Sequence, residues 1–533
     1  MRSISSRDML LSQIREALAS AIPAFLADRR WFGGKARTLR SAGVSDIVPL
    51  MHDRLEAFLA VIQVTYVSGP SENYSLPLIL NAPEAPLPAG APFLTAKVAG
   101  EPSERVLYDA MLHESFLDFL FDAIVQGKVF AGGGGKVTAT RTAALSELWQ
   151  LSQGRLHPAI MNVEQSNTSV VFGKRLVLKL FRHLEQGINP DVEIGTFLTN
   201  ARFPHSAAVA GYLEYAAENC QASSLGLLQA FVVNQGDAWK RTLRDLAAYY
   251  ERAAHFAIQA NEISQGGLLA QASLPVTAQA HERIGSYLRL AQLLAQRTAE
   301  LHLVLSSEPN DPAFCPEPFG ADELRAFCDS ALELVGQTFE LLRQRQHLLH
   351  PNVHELVQHV LASEQNALNR LQSIPDRTIT AMRTRIHGDY HLGQVLFTGD
   401  DFVIIDFEGE PARSLSERRA KRSPLQDVAG MLRSFHYAAY APLVGDPAKT
   451  GNLKRLAPHA RYWQTWVSTA FLRTYLDTSG NAGYIPRSQV ELETLLDAYL
   501  LDKAMYELRY ELNNRPNWVA IPLEGIASLL TAG

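Results

Sequence analysis

The period of the apolar residues changes along the chain, and the changes divide it. Residues 1 to about 30 carry apolar side chains at helical spacing, broken by charges, and predict an amphipathic helix. From Val44 to about Leu80 the pattern becomes that of strands. Residues 57–67, AFLAVIQVTYV, are rich in β-branched and aromatic types. Pro83, Pro86, Pro88 and Pro92 punctuate a loop, and the run from Val106 to about Val125 predicts a helix. These elements predict a small α+β unit over residues 1–150. Residues 170–172, 176–181 and 225–233 then read as strands, separated by polar turns, and give a second unit over 151–235. From about 240 to 382 apolar residues return at helical spacing, with long runs at 288–305 and 353–371. The remainder, 236–533, is therefore a largely helical region, and the fold class is α+β.

Composition narrows the function classes. A chain of 533 residues exceeds one compact core, and its 47% hydrophobic and 20% charged content is that of a globular protein. A formal net charge of −6 argues against nucleic acid as partner, because phosphate binding calls for a basic surplus. No window reaches eighteen uninterrupted apolar residues, so no membrane span is expected. Cys220, Cys315 and Cys328 are odd in number and fit no metal-ligand spacing. With no secretory signal at the N-terminus, reduced thiols in a cytoplasmic protein are the expectation.

The chemistry concentrates in residues 385–410. Asp389 lies between His387 and His391, Gln394 follows it by five residues, and the strand-like run 402–405 delivers Asp406. Protein kinases place a catalytic Asp, a metal-binding amide and a metal-binding Asp in this order and at this spacing. The pattern predicts phosphoryl transfer. Asp389 would accept the proton of the attacking hydroxyl. Asp406, the amide oxygen of Gln394 and Glu408 would hold Mg2+, which prefers oxygen ligands. Asp427, at the start of a later helix, reads as structural, bonding the catalytic-loop backbone from below.

A kinase also needs a lysine on a strand, and Lys179 in LVLKLF supplies one. A lone ammonium in an apolar strand costs free energy unless it is paired. The pairing expected for Lys179 is with ATP phosphates and with Glu193, on a helix opened by Asn189 and Pro190. Ser166, Asn167 and Thr168 would cover the phosphates, and backbone groups from Gln229 to Phe231 would face the adenine. Gly132 to Gly135 with Lys136 lacks the hydroxyl residue and spacing of a phosphate loop, and predicts a hairpin or linker. Near the C-terminus Lys503, Tyr506, Glu507, Tyr510 and Glu511 share one helical stripe. Stacked tyrosines beside paired charges suit a sugar, and an ordinary tyrosine-rich packing face is the alternative.

The block His387-Gly-Asp-Tyr-His-Leu-Gly-Gln394 precedes Ile405-Asp-Phe-Glu-Gly-Glu-Pro-Ala-Arg413 and Ser423-Pro-Leu-Gln-Asp-Val-Ala-Gly-Met-Leu-Arg-Ser434. With Arg30-Trp-Phe-Gly-Gly-Lys35 and Tyr506-Glu-Leu-Arg-Tyr-Glu-Leu-Asn-Asn-Arg-Pro-Asn-Trp518, it resembles the bacterial maltokinases across most of the chain. His-Gly-Asp alone resembles only the wider aminoglycoside-phosphotransferase-like group. The resemblance implies a bilobed eukaryotic-like kinase fold with an N-terminal α+β cap subdomain. It also implies ATP-dependent phosphorylation of maltose at its anomeric hydroxyl, giving maltose 1-phosphate for α-glucan and glycogen synthesis from trehalose. A trehalose synthase is the implied partner. By position, Asp389 would be the base, Gln394 and Asp406 metal ligands, Lys179 and Glu193 an ion pair. His391, Lys503, Tyr506, Glu507 and Tyr510 would meet maltose. A kinase of the same fold acting on glucosamine or an aminoglycoside, and a non-catalytic sugar-binding relative, remain open.

Overall fold

The computed structural model describes all residues except 1–5, 51–55, 82–92, 97–104, 151–155, 162–165, 254, 264–265, 376, 445–449 and 532–533. It divides into two compact units, residues 1–202 with 206–233, and residues 203–205 with 234–533.

In the first unit, helix α1 (Ser6–Ala27) packs on a sheet of β1 (Leu39–Pro49), β2 (Ala57–Tyr66), β3 (Glu72–Asn81), β4 (Phe93–Ala96) and β5 (Arg105–Asp109). Its order is β1-β2-β3-β5-β4, with β11 (His183–Leu184) pairing β3. The second sheet, β6-β7-β12-β13-β10-β9-β8, comprises β6 (Val129–Ala131), β7 (Gly135–Arg141), β8 (Pro158–Ile160), β9 (Asn167–Phe172), β10 (Leu176–Phe181), β12 (Val209–Ala217) and β13 (Ser223–Ala230). Helices α2 (Glu114–Gln126), α3 (Ala144–Gln150) and α4 (Pro190–Asn200) complete the unit.

The unbroken apolar run of β2 has a physical cause. Phe58, Ala60 and Ile62 pack toward α1, while Ala57, Leu59 and Val61 join a core that includes Phe116, Val170, Leu178 and Leu228. A strand covered on both faces has no polar side to alternate with. One core thus runs through both sheets, and polar ties reinforce it. Ser75 N–H donates to the Arg182 carbonyl at 2.8 Å, and Tyr215 Oη donates to Asp46 Oδ2 at 2.9 Å. The buried Arg182 guanidinium pairs with Asp109 at 2.6 Å.

Two sequence expectations change here. Residues 106–109 form a strand, because Val106 and Leu107 pair with Asn81 and Leu80. Asp109 then caps a short 3-10 turn by accepting from Met111 N–H at 3.0 Å, and the helix starts only at Glu114. Residues 129–141, expected with the cap, lend β6 and β7 to the second sheet through pairing with β12. Gly132 to Gly135 is the hairpin between them, as expected, with Gly132 N–H donating to the Gly135 carbonyl at 2.7 Å. A Cβ on Gly132 would meet the Ile47 carbonyl at 2.8 Å, and one on Gly135 would meet Asp46 Oδ2 at 2.8 Å. These glycines permit close packing of strands. The prolines from 83 to 92 lie outside the described residues.

The second unit is helical: α5 (Ala238–Ala253), α6 (Leu268–Ala272), α7 (Ala278–Ile284), α8 (Tyr287–Leu305), α9 (Ala321–Arg345), α10 (His354–Ala362) and α11 (Glu364–Gln372). Then come α12 (Leu415–Arg419), α13 (Leu425–Val444), α14 (Thr450–Ser479), α15 (Gln489–Asn514) and α16 (Ala520–Thr531). The predicted helix over 353–371 is two, divided at Ser363. Short ribbons pair β14 (Glu317–Pro318) with β15 (Met382–Arg383) and β16 (Val395–Phe397) with β17 (Phe402–Ile404). Among the described residues no helix is long and apolar enough to cross a membrane.

Candidate active site

The catalytic loop is held by a buried carboxylate beneath it. Asp427, in the first turn of α13, accepts the His387 N–H at 2.7 Å and the Gly388 N–H at 2.9 Å. His302 Nε2, from α8, lies 3.1 Å from the same carboxylate, and Tyr475 Oη lies 2.9 Å from His302 Nδ1. With Nε2 donating to the carboxylate, Nδ1 is left to meet the Tyr475 hydroxyl. Burial works against ionising Asp427, but the bonds from His302 and the loop outweigh it and hold its pKa below the usual carboxylate value. His387 faces inward, with Nε2 donating to the Ile405 carbonyl at 2.9 Å. Gly388 adopts φ 84, a left-handed conformation in which a side chain would be strained.

The hairpin of β16 and β17 delivers the metal-binding candidates. Gln394 ends the turn before β16, and Asp406 follows β17 with φ 67, left-handed for a non-glycine residue. Gln394 Nε2 donates to Asp406 Oδ2 at 2.8 Å. That bond uses the amide nitrogen and leaves the carbonyl oxygen as the candidate ligand atom. Carboxylate oxygens of Asp406 and Glu408 come within 4.8 Å of each other. Hard oxygen donors of this kind fit Mg2+.

Asp389 faces a cavity of about 480 Å³. Its walls include His391, Lys503, Tyr506, Glu507 and Tyr510, the five residues expected for the sugar. Lys503 Nζ lies 3.4 Å from Asp389 Oδ1 and 3.5 Å from Glu410 Oε2, and Tyr506 Oη donates to Glu410 Oε1 at 2.7 Å. Burial disfavours the ammonium, yet Asp389, Glu410 and Glu507 outweigh it and raise its pKa above that of an ordinary lysine. His391 Nε2 is 3.8 Å from Asp389 Oδ2, and burial lowers its pKa. Glu507 is gripped by Arg433 at 2.6 and 2.9 Å. Trp239 and Tyr437 also line the cavity and carried no sequence signal beyond ordinary packing aromatics.

In the first unit, Lys179 is 5% exposed and lies 3.1 Å from Asp191, which is 2% exposed. The expected partner, Glu193, stands half-buried in the same first turn of α4. Asp191, which sequence reading passed over, is thus a partner in its own right. Asn189 caps this helix through Asp191 N–H at 2.9 Å, with Pro190 at its first position, both as expected. Ser166 is exposed, and Asn167 and Thr168 open β9. Thr168 Oγ1 already accepts from Arg182 Nε at 2.9 Å. Residues 162–165 lie outside the described residues. Gln229 sits near the end of β13, and Phe231 N–H donates to the Arg175 carbonyl at 2.7 Å.

Known proteins share this architecture. Residues 25–112 match the maltokinase N-terminal cap domain, and residues 162–437, just over half the chain, match the phosphotransferase enzyme family. A glucosamine kinase of Mycolicibacterium smegmatis is 26% identical over 388 residues, covering 70% of this chain and 79% of that protein. A glucosamine kinase of Streptacidiphilus jiangxiensis is 27% identical over 150 residues, 27% of this chain and 31% of that protein. A solved glucosamine kinase, crystal form B, superposes with a TM-score of 0.63 at 17% identity, covering 97% of this chain and 99% of that one. The same holds for a glucosamine kinase in complex with glucosamine, ADP and inorganic phosphate, with TM-score 0.62, 17% identity and coverage of 97% and 98%. Those likenesses show a common fold. The match over residues 162–437 shows that the chain belongs to the phosphotransferase enzyme family, and residues 25–112 are a segment of the maltokinase cap type.

Proposed function

We propose that the chain is an ATP-dependent maltose kinase that phosphorylates the anomeric hydroxyl to give maltose 1-phosphate. The observation that carries this reading is the gathering of Asp389, His391, Lys503, Tyr506, Glu507 and Tyr510 around one 480 Å³ cavity. Asp389 would take the proton of the acceptor hydroxyl. Lys503 and Glu410 would bond the sugar hydroxyls next to it, and Tyr506 would present its ring to the sugar. Magnesium-bound ATP supplies the phosphoryl group. Gln394, Asp406 and Glu408 are the residues we assign to the metal, and Lys179 with Asp191 and Glu193 to the nucleotide phosphates.

Glucosamine is the second reading, favoured by the curated relatives. A cationic amino sugar calls for a carboxylate to pair with. Glu410 is already met by Lys503 and Tyr506, Glu507 by Arg433, and Glu511 by Arg515 and Tyr437. That pairing supports a neutral acceptor. The test is ADP release with magnesium-ATP across maltose, glucose, glucosamine and kanamycin, with phosphorus NMR to locate the new ester. Turnover of glucosamine without turnover of maltose would replace the first reading with the second.

A further inference from the structure

Gln394 and Asp406 stand at the open end of the β16–β17 hairpin, where Ile405 N–H donates to the Gln394 carbonyl at 3.0 Å. Two strands of three residues each are marginal by themselves in water, so the place of these side chains depends on what the hairpin leans on. Gln235 N–H donates to the Phe397 carbonyl at 2.8 Å, and Phe397 N–H donates to the Gly236 carbonyl at 2.9 Å. On the other strand, the His205 carbonyl accepts from Ile404 N–H at 2.8 Å. At the turn, Arg297 of α8 grips Asp401 with two prongs, Nε to Oδ1 at 2.9 Å and Nη2 to Oδ2 at 2.8 Å.

A guanidinium fork of this kind fixes orientation as well as distance. Glu300, on the same helix, holds the third nitrogen at 2.9 Å. Asp401 Oδ1 also accepts the Phe402 N–H at 2.7 Å, which ties the fork to the first residue of β17. Burial works against ionising Asp401, but the bonds from Arg297 and Phe402 outweigh it and hold its pKa below the usual carboxylate value. Asp406 follows Asp401 by five residues, about 16 Å of extended chain. The fork therefore acts on the metal candidates through the hairpin, without touching them.

We propose that Arg297 is a positioning residue for the metal: by clamping Asp401 it sets the tilt of the hairpin, and through it the approach of the Gln394 and Asp406 oxygens to the ion. The inference rests on the assignment of those two residues to Mg2+ above.

The test titrates Mn2+, which takes the same oxygen ligands, into the full chain with a non-hydrolysable ATP analogue present, followed by electron paramagnetic resonance. Wild type, Asp406→Asn, Arg297→Met and Arg283→Met are compared. The last breaks an ion pair with Glu262, at 3.0 Å and with an arginine as exposed as Arg297, that has no part in the hairpin. Removing a group bonded to a metal ligand weakens metal binding about 10–100-fold, and Arg297 acts further out, so Arg297→Met should raise the Mn2+ Kd about threefold to tenfold. The Mg2+ concentration for half-maximal turnover of maltose should rise by the same factor, with the KM for maltose unchanged. Arg283→Met should lower the unfolding temperature without moving either metal constant. Wild-type Mn2+ affinity in Arg297→Met, or an equal shift in Arg283→Met, would overturn the positioning role. If Asp406→Asn binds Mn2+ as tightly as wild type, the metal assignment falls and the inference with it. Absence of maltose turnover would overturn the maltose reading alone, and the Mn2+ titration would still decide the role of Arg297.

Discussion

Replacing Asp427 with Asn tests whether the catalytic loop owes its shape to that carboxylate. The substitution keeps the volume and removes the charge. In the wild type three donors converge on two oxygens: His387 N–H, Gly388 N–H and His302 Nε2. An asparagine has one oxygen, so its amide nitrogen must face at least one of those donors. A hydrogen bond to a charged group contributes about 1.5–3 kcal/mol, and a buried donor left without an acceptor costs about 1–3 kcal/mol. The two effects overlap, and a loss of about 2–4 kcal/mol at neutral pH is expected. The pH dependence follows from the depressed pKa of Asp427. An acid whose folded pKa lies below its unfolded value stabilises the fold above the unfolded pKa, near 3.9. That contribution disappears as pH falls through the folded value. The deficit of Asp427→Asn should therefore be full at pH 7 and shrink below about pH 4. Urea unfolding of both proteins over that range measures it, and kcat at a fully folded pH should fall with it. A deficit that is constant with pH, or a variant of wild-type stability and turnover, would refute the reasoning.

Asp389→Asn should lower kcat by about 10²–10⁴-fold, the range of a general base, with nucleotide binding spared in a fluorescence titration. Lys179→Met breaks the buried ion pair with Asp191, and about 3–5 kcal/mol of stability should be lost. Adding Asp191→Asn should return part of it without restoring ATP affinity. Glu507→Ala exposes the same logic at the cavity beside Asp389. Arg433 is buried against it, so thermal unfolding should drop by an amount equivalent to about 3–5 kcal/mol, and Arg433→Met in the same chain should recover much of this. A Glu507→Ala protein of unchanged stability with a raised KM for maltose would show the residue free to serve the sugar. Gly525→Ala drives a Cβ into the Arg433 guanidinium, and a loss of about 1–3 kcal/mol is expected in the same assay.

What could be read from the sequence was what local spacing constrains. Asp389, Gln394 and Asp406 lie on one loop and one hairpin, so their order along the chain nearly determines their neighbourhood. Asp427 was legible as a structural carboxylate because it opens a helix soon after that loop. Elements closed by distant partners were harder to read. Val106 to Asp109 fits either a helix or a strand by pattern, and the choice is made by β3 across a connection of more than twenty residues. Strand β7 belongs to the second sheet because β12 pairs with it some seventy residues later. The same distinction runs through the site. The stripe Lys503, Glu507, Glu511 states which face of α15 looks inward, but not which charge is satisfied by whom. Arg433 lies 74 residues before Glu507 and takes it, while Glu410 takes Lys503 and Tyr506. Helical periodicity puts Asp191 and Glu193 in one turn, and the structure adds Asp191, 3.1 Å from Lys179, to the Glu193 that the sequence offered. Periodicity therefore locates the inward face of α15, and the ion pairs that, on the maltose reading, would favour a neutral over a cationic sugar are set by elements it cannot see. For this reason the substitutions that separate the two acceptors fall on Arg433 and Glu410 as much as on α15 itself.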